Sequence, residues 1–251
     1  MRPLQTDLSV YSKLNFEKPP VAVKFLGTRP QGIEQLDKQL SFCEMLKESQ
    51  QRARPFYFSK ENETCFGKAL LGMEDLPAFA QGGEVGIKLE IFQEPRANAS
   101  LYQHLHLMPR GAVNYVAYSP LEQLSFEPDL LVLTATVSQA EIIFRAMSYS
   151  TGELRESKTT GVLGCAWLYN YPFRTGKVNY TVTGLAFGMK SKEVYDEGWI
   201  LISIPYHWIP TITANLAEMK WVLPSYTEGR EKFLVRERTN IEELSRDYAN
   251  P

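Results

Sequence analysis

Three cysteines, Cys43, Cys65 and Cys165, are the residues best suited to chemistry in this chain of 251 residues. Cysteine thiolates bind soft metal ions and iron-sulfur clusters. The spacing is wide and matches none of the compact Cys-x-x-Cys patterns of zinc or ferredoxin sites, so only the fold could bring the three together. Cys65 and Cys165 both follow turn-forming residues at predicted helix starts, where the helix dipole favours a thiolate.

Three convergent cysteines could hold a cubane iron-sulfur cluster and leave one iron open to a substrate, as a Lewis acid. We therefore predict a protein that binds an iron-sulfur or other thiolate-ligated metal centre through Cys43, Cys65 and Cys165. Whether such a centre would be catalytic stays open. The alternative is a non-catalytic protein that binds or senses a small molecule, with structural cysteines, because free cysteines are often buried as small hydrophobic residues.

A nucleophilic cysteine needs a basic partner such as histidine, so the positions of the histidines bear on whether one of these cysteines is a nucleophile. The three histidines are His104, His106 and His207. The first two lie two residues apart in a predicted helix and would point to nearly opposite faces. His207 follows a predicted strand, at a turn where ligand sites of α/β proteins often form. We predict surface or capping roles for all three.

The amino-acid composition is that of a folded globular protein. Hydrophobic residues make up 44% and charged residues 22%, which is typical of a globular domain and not of a disordered or fibrous chain. A net charge of -2 creates no overall electrostatic field that would attract nucleic acid.

The first residues lack an apolar signal segment and the apolar runs are too short to cross a bilayer, which predicts a cytoplasmic protein without membrane contact. A small molecule is the predicted partner, and homo-oligomerisation stays open.

Hydrophobic patterning predicts alternating strands and helices. Residues 21–25 form a predicted strand, and residues 36–51 a predicted helix with Cys43 on its inward face. Residues 129–136 are predicted to form a strand buried on both faces. Residues 138–149 are predicted to form an amphipathic helix. Cys165 lies in a loop that enters a helix, which Pro172 is expected to stop.

These elements predict an α/β or α+β fold, with a mixed sheet flanked by helices. Residues 1–251 are predicted to form a single domain, and the polar segment 150–160 is the one candidate for a boundary.

Several motifs carry a family resemblance. They are Phe42-Cys43-Glu44, the preceding strand 20–25, Cys65-x-Gly67-x-x-x-x-Gly72 and Pro-Asp-Leu-Leu-Val-Leu at 128–133. With them the chain resembles, over most of its length, the bacterial and archaeal family called domain of unknown function number 169. The resemblance implies no reaction. It also implies Gly-Cys and a nearby Arg within residues 188–192, where this chain has Met189, whose thioether is a weak ligand.

Overall fold

A seven-stranded mixed sheet is the centre of the protein in the computed structural model, which describes residues 1–52 and 54–249. The strands are β1 (Lys18–Leu26), β2 (Glu34–Gln35), β3 (Phe56–Phe58), β4 (Tyr115–Pro120), β5 (Leu130–Ala135), β6 (Asn179–Val182) and β7 (Ile200–Pro205). Their order is β2-β3-β4-β1-β5-β7-β6. Within the described residues β2 and β3 are the one parallel pair, and the other pairings are antiparallel. The predicted mixed sheet with flanking helices is confirmed.

Strand β5 shows why a continuous apolar run becomes a central strand. It lies between β1 and β7, with Val132 paired to Val21 on one side and to Ser203 on the other. All six of its residues are buried. Successive side chains point to opposite faces of a sheet, so helices must cover both faces.

Eleven α-helical segments are found in the described residues. They are α1 (Phe42–Gln51), α2 (Gly67–Leu70), α3 (Ala78–Gln81), α4 (Glu84–Lys88), α5 (Pro95–Tyr102), α6 (Val137–Ser148), α7 (Tyr171–Thr175), α8 (Phe187–Ser191), α9 (Ile209–Glu218), α10 (Pro224–Thr227) and α11 (Arg230–Ala249). Helix α1 packs on β1 and β4, and α6 packs on β5 and β7. The core beside α1 includes Phe42, Met45 and Leu46, and Cys43 and Cys165 pack against it.

The predicted helix over residues 36–51 is wrong for residues 36–41. Helix α1 begins at Phe42, because Ser41 caps it and the side chain of Glu44 accepts a hydrogen bond from the Ser41 backbone N–H at 2.8 Å. Before the cap the chain is extended, and the backbone of Leu36 donates to Tyr57 of β3 at 2.7 Å. Edge pairing with the sheet therefore replaces the first turns of the expected helix.

Pro172 does not stop the helix after Cys165, contrary to the prediction. A π-helical turn, Ala166–Asn170, leads directly into α7, and Pro172 lies in the first turn of α7. A proline is tolerated in a first turn because its missing N–H has no partner to lose there. The helix ends instead at Gly176, whose φ of 68° fits a left-handed cap.

The chain divides into two compact units, Met1–Ala217 and Glu218–Pro251. The first contains the whole sheet and also the segment 150–160. The second contains α10 and α11. No helix among the described residues is both long enough and apolar enough to cross a membrane.

Candidate functional site

All three cysteines line one cavity of about 250 Å³. Cys43 comes from the first turn of α1, Cys65 from the bend just before α2, and Cys165 from the helical turn that precedes the π-helical turn. Cys43 and Cys165 are partly buried and Cys65 is exposed. The fold therefore brings together the three residues that the sequence placed far apart.

Apolar side chains form most of the remaining cavity wall. They include Val85, Leu89, Ile91, Val162, Leu163 and Phe187. Met189, Ser191 and Lys192 complete the wall from the segment that the family resemblance marked. The cavity is smaller than common ligand pockets, which begin at about 300 Å³, and it therefore suits a compact, largely apolar molecule.

Glu63 connects the segments that carry Cys43 and Cys65. Its carboxylate accepts hydrogen bonds from the backbone N–H of Phe42 at 3.1 Å, of Cys65 at 3.0 Å and of Lys68 at 3.1 Å. Glu63 is only 3% exposed. Burial raises the pKa of this carboxyl above its usual value, although the three N–H donors oppose that rise. No sequence motif marks Glu63, because its partners are backbone groups.

An aromatic stack connects the segments of Cys43 and Cys165. The rings of Phe42, next to Cys43, and Tyr169, in the π-helical turn, stack with centroids 4.1 Å apart and planes at 21°. Both rings are almost completely buried. Phe42 is therefore tied through its N–H to Glu63 and through its ring to Tyr169, and this fixes the backbone on either side of the cavity.

The backbone ahead of Cys165 has an unusual conformation. Leu163 has a φ of 54°, which is rare for a residue with a side chain. A Cβ on Gly164 would lie 2.8 Å from the Cβ of Ala186, so glycine is needed for this close approach. Both left-handed residues and π-helical turns cluster at functional sites.

The three thiols influence one another electrostatically. Burial raises the pKa of Cys43, with Cys65 adding to the rise while Ser41 and Lys192 oppose it. Burial also raises the pKa of Cys165 well above the usual value, and the charges of Cys65, Cys43 and Glu63 raise it further. Several thiolates in one cavity repel each other, so a positive charge is needed to hold them all deprotonated.

Lys192 is the cation that lines this cavity. Its ammonium group lies 3.6 Å from the carboxylate of Glu44, which also caps α1. This charge opposes the rise that burial causes in the pKa of Cys43. The pKa of Glu44 lies below its usual value although burial opposes this, because Ser41 donates hydrogen bonds to the carboxylate and Lys192 adds a smaller effect. No motif in the sequence marks Lys192 for this role.

The cysteine sulfurs do not form a ready-made site for a single ion. Among the described residues, no group of three His, Cys, Asp or Glu side chains is arranged to hold a metal ion. The chemistry of the donors does suit a soft metal, since three thiols face the cavity and the hard carboxylate of Glu63 is occupied by backbone donors.

The histidines lie elsewhere. His104 and His106 line a second cleft with Trp167 and Tyr171, and they follow the end of α5 instead of lying within a helix as predicted. His207 packs against Trp208 with ring centroids 5.5 Å apart. All three are described by the structure and none lines the cysteine cavity, so a Cys–His pair has no geometric support here.

Comparison with known proteins identifies the family. A model of the DUF169 family, described as uncharacterised ArCR, matches residues 9–215. The chain belongs to the DUF169 family. The matched DUF169 region contains all three cysteines, Glu63 and Lys192, and it confirms the resemblance seen in the sequence.

A relative of this DUF169 chain is the uncharacterized protein MJ0308 of Methanocaldococcus jannaschii. The two are 24% identical over 151 residues, which are 58% of this chain and 64% of MJ0308. No solved structure matches the DUF169 chain.

Proposed function

We propose that this protein holds a thiolate-ligated metal centre, most simply an iron-sulfur cluster, in the cavity lined by Cys43, Cys65 and Cys165. The observation that carries the proposal is that three cysteines from separate segments line one small cavity. Isolated structural cysteines have no reason to share a cavity, whereas ligands of one centre must do so.

The electrostatics support a cationic occupant. Metal binding requires deprotonated thiols, and the charge of the metal replaces the protons. In this cavity burial and the charges of the neighbouring thiols raise the pKa of Cys43 and Cys165, which favours their protonated forms. Binding of the centre is therefore expected to release protons and to be weaker at low pH.

A cluster fits this arrangement better than a single ion. A single ion needs ligands that converge on one point, and no such group occurs in the described residues. A cluster is several atoms across, and its cysteines bind different irons, so they need not converge on one point.

The residues that line the cavity limit the chemistry and the substrates of such a centre. Cys43, Cys65 and Cys165 would hold such a cluster, which would supply Lewis-acid chemistry at an iron without a cysteine ligand. The apolar wall, which includes Val162, Leu163 and Phe187, would exclude water from a small molecule bound beside it. Lys192 would favour an anionic or polar end on that molecule. This would make the protein an enzyme acting on a small, mostly apolar substrate.

A second candidate function is binding or sensing of a small molecule without catalysis. The apolar wall favours it, because a pocket of this kind binds an apolar ligand without help from a metal. The cysteines would then be wall residues whose thiols stay protonated, consistent with the raised pKa of Cys43 and Cys165.

We propose a cytoplasmic location for either function. A reducing compartment keeps three nearby cysteines from forming disulfides, and all three are free thiols in the structure.

Anaerobic purification tests the two functions against each other. Iron, acid-labile sulfide and a broad visible absorption band would support the metal centre. Protein that stays colourless and free of iron and sulfide, even after reconstitution with iron and sulfide under reducing conditions, would rule out the cluster. An apolar fluorescent probe such as anilinonaphthalene sulfonate would then report whether the cavity binds an organic ligand.

A further inference from the structure

A second cleft is separate from the cysteine cavity and shares no lining residue with it. Its volume is about 580 Å³, within the range of about 300 to 1,000 Å³ that is common for ligand pockets. Most of its polar residues come from two segments, 103–106 after α5 and 158–160. Trp167 of the π-helical turn and Tyr171 of α7 supply its aromatic rings, together with Phe92. The cleft is therefore large enough for a ligand of its own.

The segment 158–160 is held in place although it belongs to no helix or strand. The side chain of Asn179 in β6 accepts a hydrogen bond from the Lys158 N–H and donates one to the Lys158 carbonyl, both at 2.8 Å. The hydroxyls of Thr159 and Thr181 share a hydrogen bond at 2.7 Å. Asn179 is only 1% exposed. This side of the cleft is thus anchored to the sheet, as in pockets that are formed before a ligand binds.

The aromatic side of the cleft is also fixed. The indole N–H of Trp167 donates to the hydroxyl of Thr160 at 2.9 Å. The ring of Tyr171 packs edge-on against the imidazole of His106, with centroids 5.3 Å apart and planes at 65°. The buried side chain of Asn170 donates to the His106 carbonyl at 3.2 Å. These contacts hold a histidine beside a rigid aromatic wall.

The cleft has basic lining residues and no acidic ones. Lys158 carries an ammonium group with three N–H donors, and the imidazoles of His104 and His106 can donate hydrogen bonds. None of the described residues that line the cleft is Asp or Glu. Within the part of the chain that the structure describes, Lys158 forms no ion pair, whereas Lys192 of the cysteine cavity is paired with Glu44. A cation without a carboxylate, beside an apolar wall, favours an anionic ligand.

We propose that this cleft binds a small organic anion that has a carboxylate or phosphate head group and an aromatic body. The head group binds Lys158 and the N–H groups of His104 and His106, because charge-assisted hydrogen bonds are stronger than neutral ones. The body packs against Trp167 and Tyr171, whose rings offer a large apolar contact at fixed geometry. The site is independent of the centre that we propose for the cysteine cavity.

Isothermal titration calorimetry of the full chain tests the ligand class. Naphthoate and naphthyl phosphate have the same ring system and different head groups, and saturable binding of at least one is expected. The tighter of the two identifies the head group. Uncharged naphthamide should bind about tenfold more weakly, because it keeps the aromatic body and lacks the charge. Binding of neither anion, or equal affinity for all three compounds, would overturn the proposal.

Lysine variants locate the bound anion. Lys158→Gln should weaken binding of the anion about tenfold, because it removes the charge and keeps most of the side-chain length. Its affinity for naphthamide should not change. Lys177→Gln is the matched control, since Lys177 is exposed and lines neither pocket, and it should bind the anion as wild type does. Unchanged affinity in Lys158→Gln would overturn the proposal, and a loss in Lys192→Gln instead would place the anion in the cysteine cavity.

Iron and sulfide content, measured on the same samples, separates this site from the cysteine cavity. A chain that lacks iron and sulfide but binds the anions with this pattern would contradict the metal centre alone. A chain that holds a cluster but binds neither anion would contradict the anion site alone.

Discussion

The carboxylate of Glu63 accepts a hydrogen bond from the backbone N–H of Cys65 at 3.0 Å. The same carboxylate accepts one from Phe42, the residue before Cys43, at 3.1 Å. One buried side chain thus holds the backbone of two cysteine-bearing segments. We class Glu63 as a positioning residue, since it acts on the cavity through the backbone of its neighbours.

Glu63→Gln is expected to destabilise the protein by about 1 to 3 kcal/mol near the usual carboxyl pKa, because the amide replaces an acceptor oxygen and leaves a buried N–H without a partner. The free energy of unfolding in urea measures this change. Glu61→Gln is the matched control, since Glu61 is exposed and two residues away, and its effect should stay within about 0.5 kcal/mol. Equal effects of the two variants would contradict the role of Glu63.

The stability contributed by Glu63 should decrease as pH rises. Burial raises its pKa above the usual 4.5, so the folded state binds the proton more tightly than the unfolded state. That contribution is complete below the unfolded pKa and is lost as pH rises through the folded pKa. The difference in unfolding free energy between wild type and Glu63→Gln should therefore shrink from about pH 4.5 upwards and then level off. A difference that grows over this range would refute the expected direction of the pKa shift.

Cys65→Ser separates loss of the centre from loss of the fold. Cys65 is exposed, so the substitution should change the unfolding free energy of the metal-free protein by less than about 0.5 kcal/mol. If the cysteines are ligands, iron and sulfide content should nevertheless fall sharply, because serine is a poor ligand for a soft metal. Val162→Ala, a change in the cavity wall without a thiol, should leave the iron content unchanged. Full iron content in Cys65→Ser would remove this cysteine from the ligand set.

Gly164→Ala should disturb the turn that carries Cys165. The added Cβ would lie 2.8 Å from the Cβ of Ala186, and overpacking of this kind costs about 1 to 3 kcal/mol. Gly161→Ala is the control in the same segment, because its nearest neighbours would be 3.8 Å away, an ordinary contact. Urea unfolding of both variants measures the difference, and indistinguishable midpoints would show that the close approach at Gly164 is not required.

The thiols should differ in their reactivity in the metal-free protein. Iodoacetamide is expected to modify Cys65 first because it is exposed. Cys43 and Cys165 should react more slowly, Cys165 slowest, since burial raises the pKa of both and the thiolate is the nucleophile. Mass spectrometry of tryptic peptides would follow each site, and in urea all three should react at similar rates. Fastest modification of Cys165 in the folded protein would contradict the electrostatics of the cavity.

Local sequence patterns determined several elements of the fold. The apolar run at residues 129–136 predicted β5, and the amphipathic run after it predicted α6, because periodicity reflects which faces an element buries. The turn residues before Cys65 and the glycines before Cys165 correctly predicted that both cysteines lie close to helix starts. The motifs around Cys43 and Cys65, together with the strand at 20–25 and the stretch at 128–133, indicated the DUF169 family.

Tertiary contacts decided the rest. Residues 36–40 were predicted to be helical, but Leu36 pairs with β3 and Leu40 pairs with the segment around Glu63. The start of the helix after Ser41 depends on the capping contacts of Ser41. Pro172 has the sequence signal of a helix end, yet the π-helical turn before it allows the helix to continue. Neither outcome is visible from propensity, because tertiary packing overrides it.

By itself the sequence determined that three free thiols exist, and near which local elements they lie. Only the tertiary structure decided that they share one cavity, through the contacts of Phe42 with Glu63 and with Tyr169, residues 21 and 127 positions away along the chain. The physical reason is that such contacts form between segments remote in sequence, and their partners are backbone N–H groups and ring faces. Almost any sequence offers these groups, so no local pattern marks which of them will meet.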